Sequence, residues 1–193
     1  GITVLLENID FYSSASAGIY VNTGSRHELP HEAGISHFIE HMLFKGTKTR
    51  TANDIARQFD RIGGQANAYT SKENTVFYAK TMSCHVVEAL DILADMVMNS
   101  KFAKNDIKNE QGVVCEEINM VEDSPDDLVV DRLLESVWGT VGLGGPILGT
   151  AATVNSFDKD AILRYMDRRY TANNLIVSVA GSFDRTAVMK QLE

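Results

Sequence analysis

Within the stretch Gly34 to Phe44, GISHFIEHMLF, His37 and His41 stand four residues apart with Glu40 between them. On an α-helix residues four apart share a face, so both imidazoles can reach one ion, and zinc takes such nitrogen ligands. For a histidine pair alone the ordinary reading is a pair of core or surface residues with local partners. Helical phase weighs against it. At about 100° per residue, His37, Glu40 and His41 fall in one sector about 100° wide, while Ile35, Phe38, Ile39 and Met42 gather on the other side.

A further ligand must come from elsewhere, and the helix expected over 104 to 123 offers one. Its apolar residues Ile107, Val114, Ile118 and Val121 form a stripe about 60° wide, with Glu110 and Glu117 projecting beside it and Glu116 nearly opposite. A carboxylate on a core-facing stripe costs several kcal/mol unless it is paired or bound to a cation. Two readings stay open for these glutamates, an ion pair with Lys or Arg of a neighbouring element or a metal. Joined to the histidines, Glu117 completes a three-ligand zinc site that leaves a fourth position for water, with Glu40 placed to act as base.

The remaining sequence supplies the elements that would hold such a site. Strands are expected over 2–6 and 17–24, and a helix over about 34–44. A second helix in TANDIARQFDRIGG has Thr51 and Asp54 as an approximate capping box and ends at Gly63-Gly64. The run 65–82 reads as a hairpin turning at Ser71-Lys72. Helices are expected over about 84–99, 104–123 and 126–138, the last two separated by Ser124-Pro125. The glycine-rich 139–150 reads as loop and lacks the Lys-Ser/Thr ending of a phosphate-binding loop. A helix over 158–169, a strand over 174–181 and a helix from Asp184 complete the chain. The fold class is therefore α+β, a mostly antiparallel mixed sheet packed against several helices, in one domain over 1–193.

Composition excludes several functions. The 193 residues are 44% hydrophobic and 23% charged, with no apolar run near the ~20 residues of a membrane span. A formal net charge of -8 leaves no basic stripe for nucleic acid. The two cysteines, Cys84 and Cys115, cannot make a disulfide framework and are expected to be small buried apolar residues. The opening GITVLLENID has neither a basic lead nor a long apolar stretch, so no export signal is expected in it.

The stretch HFIEHMLFKGT, followed by NEQGVVCEEINM, closely resembles the pitrilysin-type (insulinase) metallopeptidases, which carry the inverted zinc motif HxxEH. The similarity continues through GGQANAYTSKENTVFYAKT, EDSPDD and PILGT, and looks closest to the bacterial and mitochondrial processing-peptidase type. The resemblance implies that His37, His41 and Glu117 ligate Zn2+, that Glu40 activates water and that Glu110 orients the site from behind the ligands. It also implies a peptide substrate added as a strand at Asn67 and Ala68, which read alone are an ordinary edge strand, an apolar subsite at Phe44, for which a core role stays open, and a substrate arginine received by Asp127 and Asp131, for which a solvated acidic face is the equal alternative. The family's fold is repeated in two homologous halves, so this chain would be the N-terminal one. The other wall would come from a C-terminal domain or a partner subunit, a homodimer included. A bacterial cytoplasm is favoured as its place, with the mitochondrial matrix as the alternative.

The function expected is a zinc endopeptidase, weak as an isolated half. The alternative is a non-catalytic peptide-binding or assembly subunit of the same family, against which the intact HxxEH and distal Glu argue. A lyase of the S-ribosylhomocysteine type would need a cysteine ligand, and Cys115 lies about 140° around its helix from Glu110, away from the site's face.

Overall fold

Small and β-branched residues alternate along Ser14–Val21, placing Ala15, Ala17, Ile19 and Val21 on one buried face and Ser16 and Tyr20 outward. In the computed structural model, which describes residues 1–193, this segment is the middle strand of five. The strands are β1 (Thr3–Asn8), β2 (Ser14–Val21), β3 (Gln65–Thr70), β4 (Thr75–Met82) and β5 (Leu175–Gly181), in the spatial order β1-β5-β2-β4-β3. Pairings β2/β4, β2/β5 and β3/β4 are antiparallel and only β1/β5 is parallel, so the sheet is mixed and mostly antiparallel as expected. The strand expected over 17–24 begins and ends three residues earlier, because the whole of Ser14–Val21 is paired with Thr75–Met82.

Seven helices follow the expected order and a short eighth, α6, lies among them: α1 (Ile35–Leu43), α2 (Ala52–Arg61), α3 (Val86–Asn99), α4 (Lys104–Glu122), α5 (Pro125–Trp138), α6 (Ala151–Val154), α7 (Lys159–Arg169) and α8 (Arg185–Leu192). The Thr51 cap of α2 is present in full: Thr51 Oγ1 accepts from Asp54 N, and the Asp54 carboxylate accepts from Thr51 N. The segment 139–150 is irregular apart from a short turn at Gly142–Gly144. The four-residue α6 was not foreseen; Thr150, accepting from Thr153 N, caps it.

One contiguous core lies between the sheet and helices α1 to α4 and α7, built around Phe38, Phe77, Leu90, Ile92, Leu93 and Tyr165. The opposite face of the sheet carries the exposed rings of Tyr20, Tyr69 and Tyr78. The cysteines are not the buried residues expected. Cys84 is exposed in the turn Ser83–His85, where no helix face is yet formed, and Cys115 is half-buried with Asn155 Nδ2 donating to its Sγ at 3.5 Å. No helix is long and apolar enough to cross a membrane.

Candidate metal centre

Helix α1 places the site, and its apolar side fixes its rotation: Ile35, Phe38, Ile39, Met42 and Leu43 are all buried. Burial of each such side chain contributes about 1.5–3 kcal/mol, so the helix cannot turn without losing several of them. Its start is equally constrained. Gly34 has φ +91°, and a Cβ there would lie 2.4 Å from the carbonyl oxygen of Leu148, so only glycine fits. The Glu28 carboxylate, pushed up to about 7 by burial, accepts from the N–H groups of Gly34 at 2.7 Å and Ser36 at 2.8 Å. From α7, the Tyr165 hydroxyl meets Ser36 Oγ at 2.7 Å and Thr23 Oγ1 at 3.0 Å.

On the other side of α1, His37, Glu40 and His41 project together, and α4 packs across them. His37, His41 and Glu117 are the chain's one cluster of three metal-capable side chains, each offering an atom within 4.8 Å of the others. Both histidines turn Nε2 toward Glu117 Oε2, at 3.7 Å from His37 and 3.5 Å from His41. Donors about 2.1 Å from one ion at tetrahedral angles lie about 3.4 Å apart, so the spacing fits zinc, and two imidazoles with one carboxylate suit it chemically. Burial, and next the neighbouring His41, lowers the His37 pKa to about 4, leaving a neutral ring with a lone pair for metal.

The two glutamates of α4 take different partners. Glu110, 4% exposed, has Lys45 Nζ 2.6 Å from Oε1 and His41 Nδ1 3.1 Å from Oε2. The ion-pair reading therefore holds for Glu110, which meets both Lys45 and His41. Glu117 has no Lys or Arg within bridging distance, while Glu116 points into solvent as its phase required. Cys115 is outside the cluster.

Glu40 sits half-buried beside the histidines. Burial raises its pKa, opposed by the Thr70 hydroxyl, which donates to Oε2 at 2.6 Å, and by His41. Thr70 ends β3, the strand with no neighbour on its outer side, and α1 packs directly behind that strand. Sequence reading missed both Thr70 and Lys45. Thr70 shares the inward face of β3 with Ala66 and Ala68 by period-two alternation, and Lys45 follows His41 by four residues, so each carried a positional signal.

The other expected site residues are dispersed around this centre. Asn67 is exposed on β3, its Oδ1 accepting from Ala68 N at 2.8 Å. Phe44 lines an apolar hollow of about 470 Å³ with Ile55, Phe59 and Ala66, close to β3. Asp127 is exposed, whereas Asp131 lines a separate cavity of about 470 Å³ between α5 and the glycine-rich loop. Lys72 Nζ stands 3.9 Å from Asp131 and donates to Gly145 O at 2.6 Å, so an internal cation already lies beside one of the two aspartates.

Two imidazoles and one carboxylate, with a further carboxylate beside them, match in type the donor sets that metal-dependent hydrolases use. A family model described as Insulinase (Peptidase family M16) matches residues 3–151, and the chain belongs to that family. Two curated relatives are both named uncharacterized zinc proteases. YmxG of Bacillus subtilis is 51% identical over 182 residues, covering 94% of this chain and 44% of its own length. The Rickettsia bellii protein is 45% identical over 193 residues, covering 100% of this chain and 47% of its own length. A structure described as a protease from Helicobacter pylori superposes with a TM-score of 0.92 at 23% identity, over 99% of this chain and 46% of that one, and shares the fold. The chain spans about half the length of the curated relatives it matches. The chain is thus a member of a peptidase family, and the relatives that it matches carry the name zinc protease.

Proposed function

We propose that the chain is the catalytic half of a zinc-dependent endopeptidase that cleaves peptides or unfolded segments, with His37, His41 and Glu117 as ligands and Glu40 as base. The observation that carries this reading is the juxtaposition of three elements: the ligand cluster, a carboxylate held by Thr70, and the unpaired edge of β3. When bound, zinc polarises the scissile carbonyl and eases deprotonation of water. Glu40, one oxygen held by Thr70, takes the proton from the attacking water and returns it to the leaving amine. Glu110 holds His41 through Nδ1 and so leaves Nε2 for the ion.

The peptide backbone pairs with β3 around Asn67 and Ala68, which asks little of its sequence. The hollow beside Phe44 takes an apolar side chain, and Asp127 with Asp131 receives a basic one. A second homologous domain or a partner subunit, a second copy included, supplies the facing wall, so residues 1–193 alone cleave poorly.

The deciding experiment is Glu40→Gln in the full-length protein. Zinc content should be unchanged, while cleavage of an unfolded protein such as reduced casein should fall by at least about 100-fold, the usual contribution of a general base. Retained cleavage would remove Glu40 from its role. Wild-type protein that takes up no zinc at neutral pH would favour a non-catalytic peptide-binding subunit instead.

A further inference from the structure

Lys45 lies beyond the last turn of α1, its backbone N–H donating to Met42 O at 3.1 Å. Its side chain folds back to Glu110, whose side chain is 5% exposed, and the ammonium meets Oε1 at 2.6 Å. No other donor reaches that oxygen, and the second oxygen is committed to His41 Nδ1 at 3.1 Å. The chain around Lys45 is itself held firmly. Two residues on, Thr47 is buried and donates to Asp95 Oδ2 at 2.6 Å, and Arg50 bridges Asp91 and Asp95 of α3 at 2.5 and 2.7 Å. The ammonium is thus delivered from a braced segment, not from a free tail.

We propose that Lys45 is a positioning residue of the metal centre: by clamping Glu110 Oε1 it fixes the carboxylate whose other oxygen holds His41 as the Nδ1–H tautomer, with Nε2 turned to Glu117. The inference rests on the zinc reading above but concerns the metal-free geometry as much as the loaded one. An imidazole presents a lone pair at Nε2 only if its proton sits on Nδ1, and that proton stays there when a fixed acceptor faces it. Without Lys45, one oxygen of a buried carboxylate has no donor, and Glu110 is free to rotate away from His41. His37 shows the contrast, since its buried Nδ1 has no partner at all.

The sign of the effect separates this role from a direct electrostatic one. An ammonium near a cation site repels the cation through space, so its removal alone would tighten metal binding. A weakening must act through Glu110 and His41.

The test uses the full-length protein with Lys45→Met, close in length and uncharged, and Lys45→Arg. Zinc affinity, read by competition with a chromophoric chelator, should weaken about tenfold in Lys45→Met, the lower end of the effect of losing a ligand's outer partner, and recover to within about threefold in Lys45→Arg. In a Glu110→Gln background, Lys45→Met should cause no further loss, whereas a merely structural lysine would give additive losses. In metal-free protein, imidazole nitrogen shifts should show His41 as the Nδ1–H tautomer in wild type and as a mixture in Lys45→Met. Unchanged or tighter zinc binding in Lys45→Met, additive losses, or an unaltered tautomer would overturn the proposal. Should wild-type protein take up no zinc, the zinc reading falls, and the tautomer comparison still decides the role of Lys45.

Discussion

Helices α1 and α5 are each about half apolar, yet the fold treats them oppositely. Of the nine residues of α1 six are buried; of the fourteen of α5 none is. Val129, Leu133 and Val137 lie on one exposed stripe of α5, each about 60% exposed, and its contacts are confined mainly to α4 and the Gly142–Gly144 turn. The helix bearing His37, Glu40 and His41 is therefore part of the core, while the helix bearing Asp127 and Asp131 rests on the outside. Atoms that must hold a metal within tenths of an ångström need a rigid frame, and recognition of a flexible side chain tolerates a looser one.

The sharpest way to break this contrast is to truncate one side chain in each helix. Phe38→Ala should cost about 3–5 kcal/mol of unfolding free energy, and Leu133→Ala no more than about 0.5, read by urea denaturation. Comparable losses would show that α5 is as integral as α1. Acid should act on α1 nearly as strongly. The metal-free His37 ring titrates near 4 in the folded chain and near its ordinary 6.5 when unfolded, so the unfolded state binds the extra proton between those values. Stability is then full above about pH 6.5 and falls as pH drops toward 4, by about 3 kcal/mol, and His37→Asn should flatten that limb of the pH–stability curve.

Removing an outer partner is a smaller perturbation. Glu110→Gln should weaken zinc binding about 10- to 100-fold by chelator competition, with the fold retained. The smallest effect is expected on α5. Asp131→Asn should reduce the preference for an arginine-containing peptide over its alanine counterpart only a few-fold in kcat/KM, because a half-exposed charge pair is worth about 1 kcal/mol or less. A large loss there would mean that α5 becomes buried when the facing wall is present.

The legibility of the sequence follows the same division. Periodicity located every helix but the four-residue α6 and placed the polar trio of α1 and the inward carboxylates of α4 on the right faces, because burial of one side imposes the phase. It could not choose between partners for Glu110, since Lys45 sits past the helix end where periodicity no longer speaks. The parallel pairing of Thr3–Asn8 with Leu175–Gly181 joins the two ends of the chain, and no local pattern announces it. The expected burial of Cys84 failed for a similar reason: a residue-type tendency carries no information about a turn such as Ser83–His85.

An edge strand that accepts any backbone will also accept the backbone of another molecule of the same protein. β3 is six residues long, and the Asn67 side chain already occupies the N–H of Ala68. Sheet growth from copy to copy would have to displace that contact with a bare strand and nothing else in exchange, whereas a peptide that also fills the Phe44 hollow gains something in return. The Asn67 contact to Ala68 N thus sets a cost that any strand must meet before it pairs with β3, whether it comes from a substrate or from a second copy.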